Sequence, residues 1–343
     1  MSGLQIFAFV LLNFLFFTTS NCSAQSSSRS SLLALSKTDH TLAIVDPKTF
    51  KVLAKVPVGQ DPHEVIASAD GKTAYVSIYG GGTLHEINII DLVAQKLLIN
   101  VDTRPLLGPH GLTFVNGKAW FTAEGSKSFG CYDPGTGKID WSMGTGQDRT
   151  HMIYVGPEGK RIYTTNVSSG TVSIFVDTLI QPGRMAPPNA KPREDWTQTI
   201  VPVGRGSEGF DVTPDGNELW TAASEDGSIY IVDLNARKMT SKIDAKVTGA
   251  NRLKFTLDGK LAFITRLGSG DLSVYDVQSH TEKKKLTIGH GAAGILMDPN
   301  GSRVFVACTP DNYVAIIDLK TLEVIGHIDV GGGPDGLAWA ALP

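Results

Sequence analysis

The chain has 343 residues, 31 Lys+Arg against 34 Asp+Glu, a formal net charge of −3, and is 41% hydrophobic. That length suits one large domain or two small ones. The nearly balanced charge excludes both the global basic footprint of a nucleic-acid binder and a strong acidic field.

Residues 4–18, LQIFAFVLLNFLFFT, are apolar and uncharged, and the small residues CSA end at Ala24. Such a run before a small-residue cleavage site reads as a secretory leader over residues 1–24. It is short for a membrane span. A polar tether, QSSSRS, follows over 25–30. The expectation is a secreted or periplasmic monomer, cleaved near Ala24, with no transmembrane anchor and no nucleic-acid partner.

From residue 31 onward short β-branched and aromatic runs recur. Six turn dipeptides, Asp70-Gly71, Asn116-Gly117, Glu158-Gly159, Asp215-Gly216, Asp258-Gly259 and Asn300-Gly301, each separate two such runs. Asn-Gly and Asp-Gly favour tight hairpins, where both central residues take positive φ. A second marker is an Asp closing a later run: Asp46, Asp91, Asp133, Asp177, Asp233, Asp276 and Asp318. Its side chain can bond the backbone two residues on and start a turn. Successive Asp markers lie 42 to 45 residues apart, with one gap of 56. A repeating unit of four short strands over that length is the pattern of a propeller blade.

There are seven Asp markers and six turn glycines. The missing hairpin would join GLAWAAL at the C-terminus to SLLALS near residue 31. The reading is therefore an all-β chain over 31–343 that forms a seven-bladed propeller, its last blade closed by N- and C-terminal strands. Such closure leaves no free sheet edge at the seam. Cys131 and Cys308 then fall four blades apart and are expected to be free, buried thiols. The 56-residue gap holds residues 178–199, TLIQPGRMAPPNAKPREDWTQT. They are expected to form an extended surface loop in the third blade, with Trp196 as a docking anchor in one reading. Lys283, Lys284 and Lys285 read as a solvated turn.

The runs YVSI, YTTN and FVAC, with TVSIFVD and NYVAIIDLKTLEVIGHIDVGGGPDG, resemble the YVTN-repeat propellers, the YncE-like and lactonase-like family. The resemblance spans nearly the whole chain after the leader and implies the same seven-bladed fold. Function is not implied by it, because propellers host lyases, lactonases, dehydrogenases and inert scaffolds.

Aligning the starts of the seven inner strands gives one equivalent residue per blade: His63, His110, His151, Glu208, Asn251, Ala293 and Asp335. In a propeller these would ring one mouth of the central channel. Three readings are open. A wet channel simply prefers polar residues. His63, His110, His151 and Glu208 could bind a divalent transition metal, Zn, Mn, Fe, Cu or Ni, with an open position for water or substrate. A histidine could also act as acid or base without metal. Loops at the same face carry Lys37, Tyr79, Arg104, Glu124, Lys127, Arg149, Arg205, Glu225 and Arg266, and Arg252 follows Asn251. Arginines around a funnel suit a carboxylate, a phosphate or a sugar acid. Arg252, Arg266, Tyr79, Glu124, Asp335 and Asn251 are the candidate ligand-binding set.

The glycine-rich stretches at 80–83 and 144–147 precede no helical pattern, so they are not phosphate cradles. No nucleophile elbow and no haem-attachment motif occur. Two functions stand: a secreted propeller that binds a small anionic ligand or a protein at its funnel, and a metal-dependent hydrolase or lyase of the lactonase kind. No catalytic residue is assigned.

Overall fold

The computed structural model describes residues 30–341. The expected leader and nearly all of the tether lie outside the described residues. Those described form seven four-stranded antiparallel sheets. Three short 3-10 turns are the only helical elements among them, and no helix is long and apolar enough to cross a membrane.

Blades 1 to 6 are continuous in sequence. Their innermost strands are Pro62–Ala67, Pro109–Val115, Thr150–Val155, Ser207–Val212, Ala250–Phe255 and Ala292–Met297. Blade 7 is composite: Pro334–Ala341 is innermost and pairs with Ser30–Ser36, followed outward by Thr41–Val45 and Val52–Pro57. The closure expected from the missing hairpin is present.

The ring holds together because the middle strands of each blade bury both faces, while the outermost strands stay largely exposed. Alternate residues of a strand point to opposite sides of its sheet, and in a ring of upright sheets each side meets a neighbouring blade. In the Ser30–Ser36 strand, Leu33 and Leu35 pack into the seam with blade 1, while Leu32 and Ala34 pack into the seam with blade 6. Seven apolar clusters result, one at each seam. This is why the middle strands read as near-continuous apolar runs rather than alternating ones.

The turn markers act in two ways. Only Asn116 and Gly117 both take positive φ, 53° and 77°, in a two-residue turn between Val115 and Lys118. Elsewhere the glycine alone is left-handed, as Gly71 at φ 66°. There Ser68 bonds across a longer loop to Thr73, and the Asp70 carboxylate accepts from the Ser68 hydroxyl and the Lys72 amide. The expected all-tight hairpins are thus corrected to one tight turn and five longer ones. The closing aspartates do cap turns: the amides of Lys48, Val93, Gly135, Asn235 and Lys320 each donate to the Asp two residues before.

Asp177 is the exception, and the expected loop at 178–199 is corrected with it. Strands Thr171–Ile180 and Arg193–Pro202 pair without a break from Thr171↔Pro202 to Ile180↔Arg193. Asp177 sits opposite Trp196 inside this long hairpin, so no turn starts there. Trp196 is half-buried against Trp141, ring centroids 5.6 Å apart, in the seam between blades 2 and 3. The three lysines 283–285 also differ from expectation: they lie within the outer strand Thr281–Thr287.

Candidate functional site

Each inner strand of blades 1 to 6 breaks register at its second and third residues, for example between Pro62 and Val65 and between Ala250 and Leu253. A bulge re-aims side chains and bends its strand. The second residue of each bulge is the ring position picked out in the sequence. All seven of these residues, His63, His110, His151, Glu208, Asn251, Ala293 and Asp335, line one cavity of about 230 Å³, together with Lys37, Tyr79, Arg149, Arg252, Leu267 and Thr309.

Buried hydroxyls of the second strands fix the bulges. The Gly111 amide donates to Thr122 Oγ1 at 2.8 Å, and that hydroxyl donates to the His151 carbonyl of the next blade at 2.6 Å. Thr165 likewise donates to the Glu208 carbonyl at 2.6 Å. Ser77 and Thr265 accept from the amides of Glu64 and Arg252. A hydroxyl at the third position of the YVTN-like run thus ties the ring residues of blades 3 and 4 to the preceding blade, and in blades 1 and 5 it holds the bulge of its own inner strand.

The third bulge residue explains the channel itself. It is glycine at 111, 209, 294 and 336. A Cβ on Gly111 would lie 2.5 Å from the His151 carbonyl oxygen, so only glycine lets the two inner strands approach. In blades 1 and 5 the same position carries Glu64 and Arg252. These side chains cross the axis and meet, Arg252 Nη2 donating to Glu64 Oε1 at 2.6 Å. Both are almost fully buried, the side chains 12% and 9% exposed. Their pair forms the floor of the funnel and makes it a blind pocket. Arg252 stays charged: burial disfavours its cation, but Glu64, Asp335 and Glu208 outweigh that and raise its pKa.

Above this floor, Lys37 Nζ lies 2.7 Å from His63 Nε2. An ammonium can only donate, so Nε2 accepts, and the ring proton sits on Nδ1, which donates to the Asp61 carbonyl at 3.2 Å. Burial pushes His63 below the ordinary imidazole value, with Lys37 adding to it and Asp335 and Asp61 opposing. His110 is 1% exposed and its Nδ1 has no partner. Burial first, then the adjacent His151 and His63, holds it well below the ordinary value. Its ring lies 3.8 Å from that of His151 and 4.9 Å from that of His63, with the Tyr79 ring edge-on at 5.0 Å. His63 and His110 are neutral around pH 7.

Glu124 lies behind Tyr79. Burial would raise its carboxyl, but His151, Tyr79 and Arg149 reverse this and bring it to about 2. His151 Nδ1 faces Glu124 Oε2 at 3.4 Å, and Arg149 Nε bonds Glu124 Oε1. Glu208 is the hub of the far wall. It accepts from Asn251 Nδ2 at 2.5 Å and lies 3.9 Å from His151 Nε2, 3.8 Å from Arg149 and 3.9 Å from Arg252. The cavity lining holds three cations, Lys37, Arg149 and Arg252, and two carboxylates, Glu208 and Asp335, while Glu64 and Glu124 pair with Arg252 and Arg149 from below and behind.

The candidate ligand set separates accordingly. Arg252, Tyr79, Asn251 and Asp335 line the cavity, and Glu124 supports it from behind. Arg266 does not line it. Its guanidinium turns to Asp271 at 3.3 Å and to the Thr248 carbonyl at 3.1 Å. Arg104 and Arg205 pair with Asp102 and Glu225 on the exposed rim. The sequence reading missed Glu64. Its signal was available: a long charged side chain at a bulge position that is glycine in four blades.

The metal candidates cluster, yet their nitrogens do not converge. The rings of His110 and His151 are stacked at a 32° tilt, and His63 Nε2 already faces Lys37. Among the described residues, no group of three or more His, Cys, Asp or Glu is arranged to hold an ion. Cys131 and Cys308 are free and buried, and burial pushes both thiols up to about 12.

Residues 201–340 match the family described as YNCE-like beta-propeller. No curated protein matches the chain. Solved structures share its fold. One described as a "putative 6-phosphogluconolactonase" from Bacteroides fragilis has a TM-score of 0.73 at 16% identity, covering 92% of this chain and 99% of that one. Another so described, from Bacteroides uniformis, has a TM-score of 0.71 at 16% identity, covering 90% and 99%. A functionally unknown protein from Desulfotomaculum acetoxidans has a TM-score of 0.70 at 14% identity, covering 89% and 98%. At these identities the likeness is one of fold.

Proposed function

We propose that this chain, a YNCE-like β-propeller over residues 201–340, is an exported binding protein whose funnel takes one small anionic molecule of the sugar-acid class. The observation that carries this is the blind cavity. Seven ring residues from seven blades surround it, and the Arg252–Glu64 pair closes it below. His63 and His110 are neutral, and Arg252 is paired with Glu64, so the charge open to an anion is local and sits on Arg149. Arg149 is 43% exposed, and its contact with Glu208 is a distant 3.8 Å. Its outer N–H groups are placed to fork onto a carboxylate or phosphate. Asn251, Tyr79 and Lys37 supply hydrogen bonds for hydroxyls. Calorimetric titration with gluconate, 6-phosphogluconate and neutral glucose tests this. Binding of an acid but not of glucose, weakened about tenfold or more in Arg149→Met, supports it. Equal affinity for glucose, or no effect of Arg149→Met, overturns it.

A second reading, a metal-dependent hydrolase or lyase opening a lactone, rests on the unpartnered Nδ1 of buried His110 beside His151 and Glu208. An ion there would polarise a carbonyl or activate water. Rotation of the His110 and His151 rings would have to come first. Elemental analysis after dialysis against zinc or manganese separates the two readings. One ion per chain, lost in His110→Ala, favours the enzyme; no ion in either protein favours binding alone.

A further inference from the structure

The channel below the Arg252–Glu64 floor is a second chamber, open at the opposite face and larger than the funnel at about 350 Å³. All seven inner strands contribute to its wall. That wall is of a different chemistry. Ile66, Phe114, Tyr154, Leu296 and Trp339 line it as partly exposed side chains, although each also packs on an inter-blade cluster. Each of these side chains leaves apolar area wet, and covering it returns about 25 cal/mol per Å².

Polar and apolar surface share the bore about equally, and its charged groups are unequally engaged. Arg252 is saturated by Glu64 and Glu208 at the inner end. Asp211 accepts from the Phe255 amide at 3.0 Å and from Lys254 at 3.3 Å. Lys254 has that single partner, and its side chain is 42% exposed. It lies toward the outer end of its strand, two residues beyond Arg252. An ammonium carries three donors, so two are free at the chamber's mouth.

We infer that the lower bore is a separate binding site for a small amphiphilic anion, with an aromatic or branched apolar body among Phe114, Tyr154 and Trp339 and a carboxylate or sulfonate head on Lys254. Enclosure selects a compact body. The spare N–H donors of Lys254 at the mouth select an acceptor head, and its ammonium favours an anionic one. Because the floor pair separates the chambers, this site does not depend on what the funnel binds.

The probe is 1-anilinonaphthalene-8-sulfonate, titrated into the folded protein, with octanoate as competitor. One saturable site is expected, with energy transfer from Trp339 that is lost in Trp339→Phe. Ala67→Trp, which fills the bore, should weaken the probe at least tenfold. Lys254→Met should weaken it about tenfold, a loss of one ion pair in a sheltered setting, and leave the neutral analogue N-phenyl-1-naphthylamine unchanged. Arg149→Met and His110→Ala, both in the funnel, should change nothing. Non-saturable binding, unchanged affinity in both Ala67→Trp and Lys254→Met, or loss of the site in the funnel variants overturns the inference.

Discussion

Replacing Glu64 by leucine removes the carboxylate that neutralises Arg252 across the channel axis. The guanidinium side chain is 9% exposed and cannot turn to water without leaving the ring. Breaking a buried pair from one side costs about 3–5 kcal/mol, because the surviving charge stays desolvated. Glu208 stands 3.9 Å from the same guanidinium and takes up part of the charge. The expected cost is therefore at the lower end, about 3 kcal/mol. At about 2.1 cal/mol/K per residue over roughly 300 residues, the unfolding entropy is about 0.6 kcal/mol/K, so the melting temperature should fall by ~5 °C. The double variant Glu64→Leu/Arg252→Met removes both charges and leaves two apolar side chains at the axis. It should recover most of the loss, giving a coupling of about 2 kcal/mol or more in a double-mutant cycle read by urea denaturation. If the two single effects add to within about 0.5 kcal/mol, the charges are not partners across the axis, and the closed floor of the funnel goes with them.

Stability should also depend on pH through His63 and His110. Burial depresses both rings in the folded protein, whereas in the unfolded chain they titrate near 6.5. Below about 6.5 the unfolded state binds more protons, so stability is intact above that pH and is lost as pH falls, by about 1.4 kcal/mol per ring per pH unit until the folded ring itself protonates. Urea midpoints at pH 7.5 and 5.5 check this, and His110→Gln should shrink the difference; equal midpoints in the parent protein contradict it. Gly294→Ala should destabilise by several kcal/mol, because the new methyl overlaps the Asp335 carbonyl at the seam of blades 6 and 7, whereas Gly144→Ala, with open space around it, should lie within about 1 kcal/mol of the parent in thermal melts. Cys131 and Cys308 should resist iodoacetamide at pH 8 and react in urea, as mass spectrometry of each peptide reports.

Much of the architecture was legible because one physical constraint repeats. A sheet that meets neighbours on both sides needs apolar residues on both of its faces. That requirement recurs seven times, and the blades share a recurring punctuation, six turn glycines and seven aspartates of which all but Asp177 cap turns. The mismatch in their counts located the composite blade, since a hairpin cannot exist where the chain ends. The third blade defeated the reading for a related reason. Asp177 has the same sequence context as the other six markers, and its turn was expected to form. Whether a strand continues past such a residue depends on what lies opposite, and Trp196 pairing across from Asp177 while packing on Trp141 is a tertiary fact.

The site was legible in its positions and not in its contacts. Equivalence between blades was enough to name seven residues at one mouth, because the bulge that aims each of them is itself repeated. What those residues do with their atoms depends on partners far away in sequence. Lys37 belongs to blade 7 and meets His63 of blade 1; Glu64 of blade 1 meets Arg252 of blade 5. Neither pairing has any spacing rule. The consequence for chemistry is direct. Three histidines in register suggest a shared ion, but the same register lays the His110 ring 3.8 Å from that of His151 at a 32° tilt, so the rings meet by their faces rather than by their nitrogens. A ring symmetry that converges positions therefore does not by itself converge lone pairs. The deciding feature is which donor reaches each nitrogen first, and for His63 that donor is a lysine.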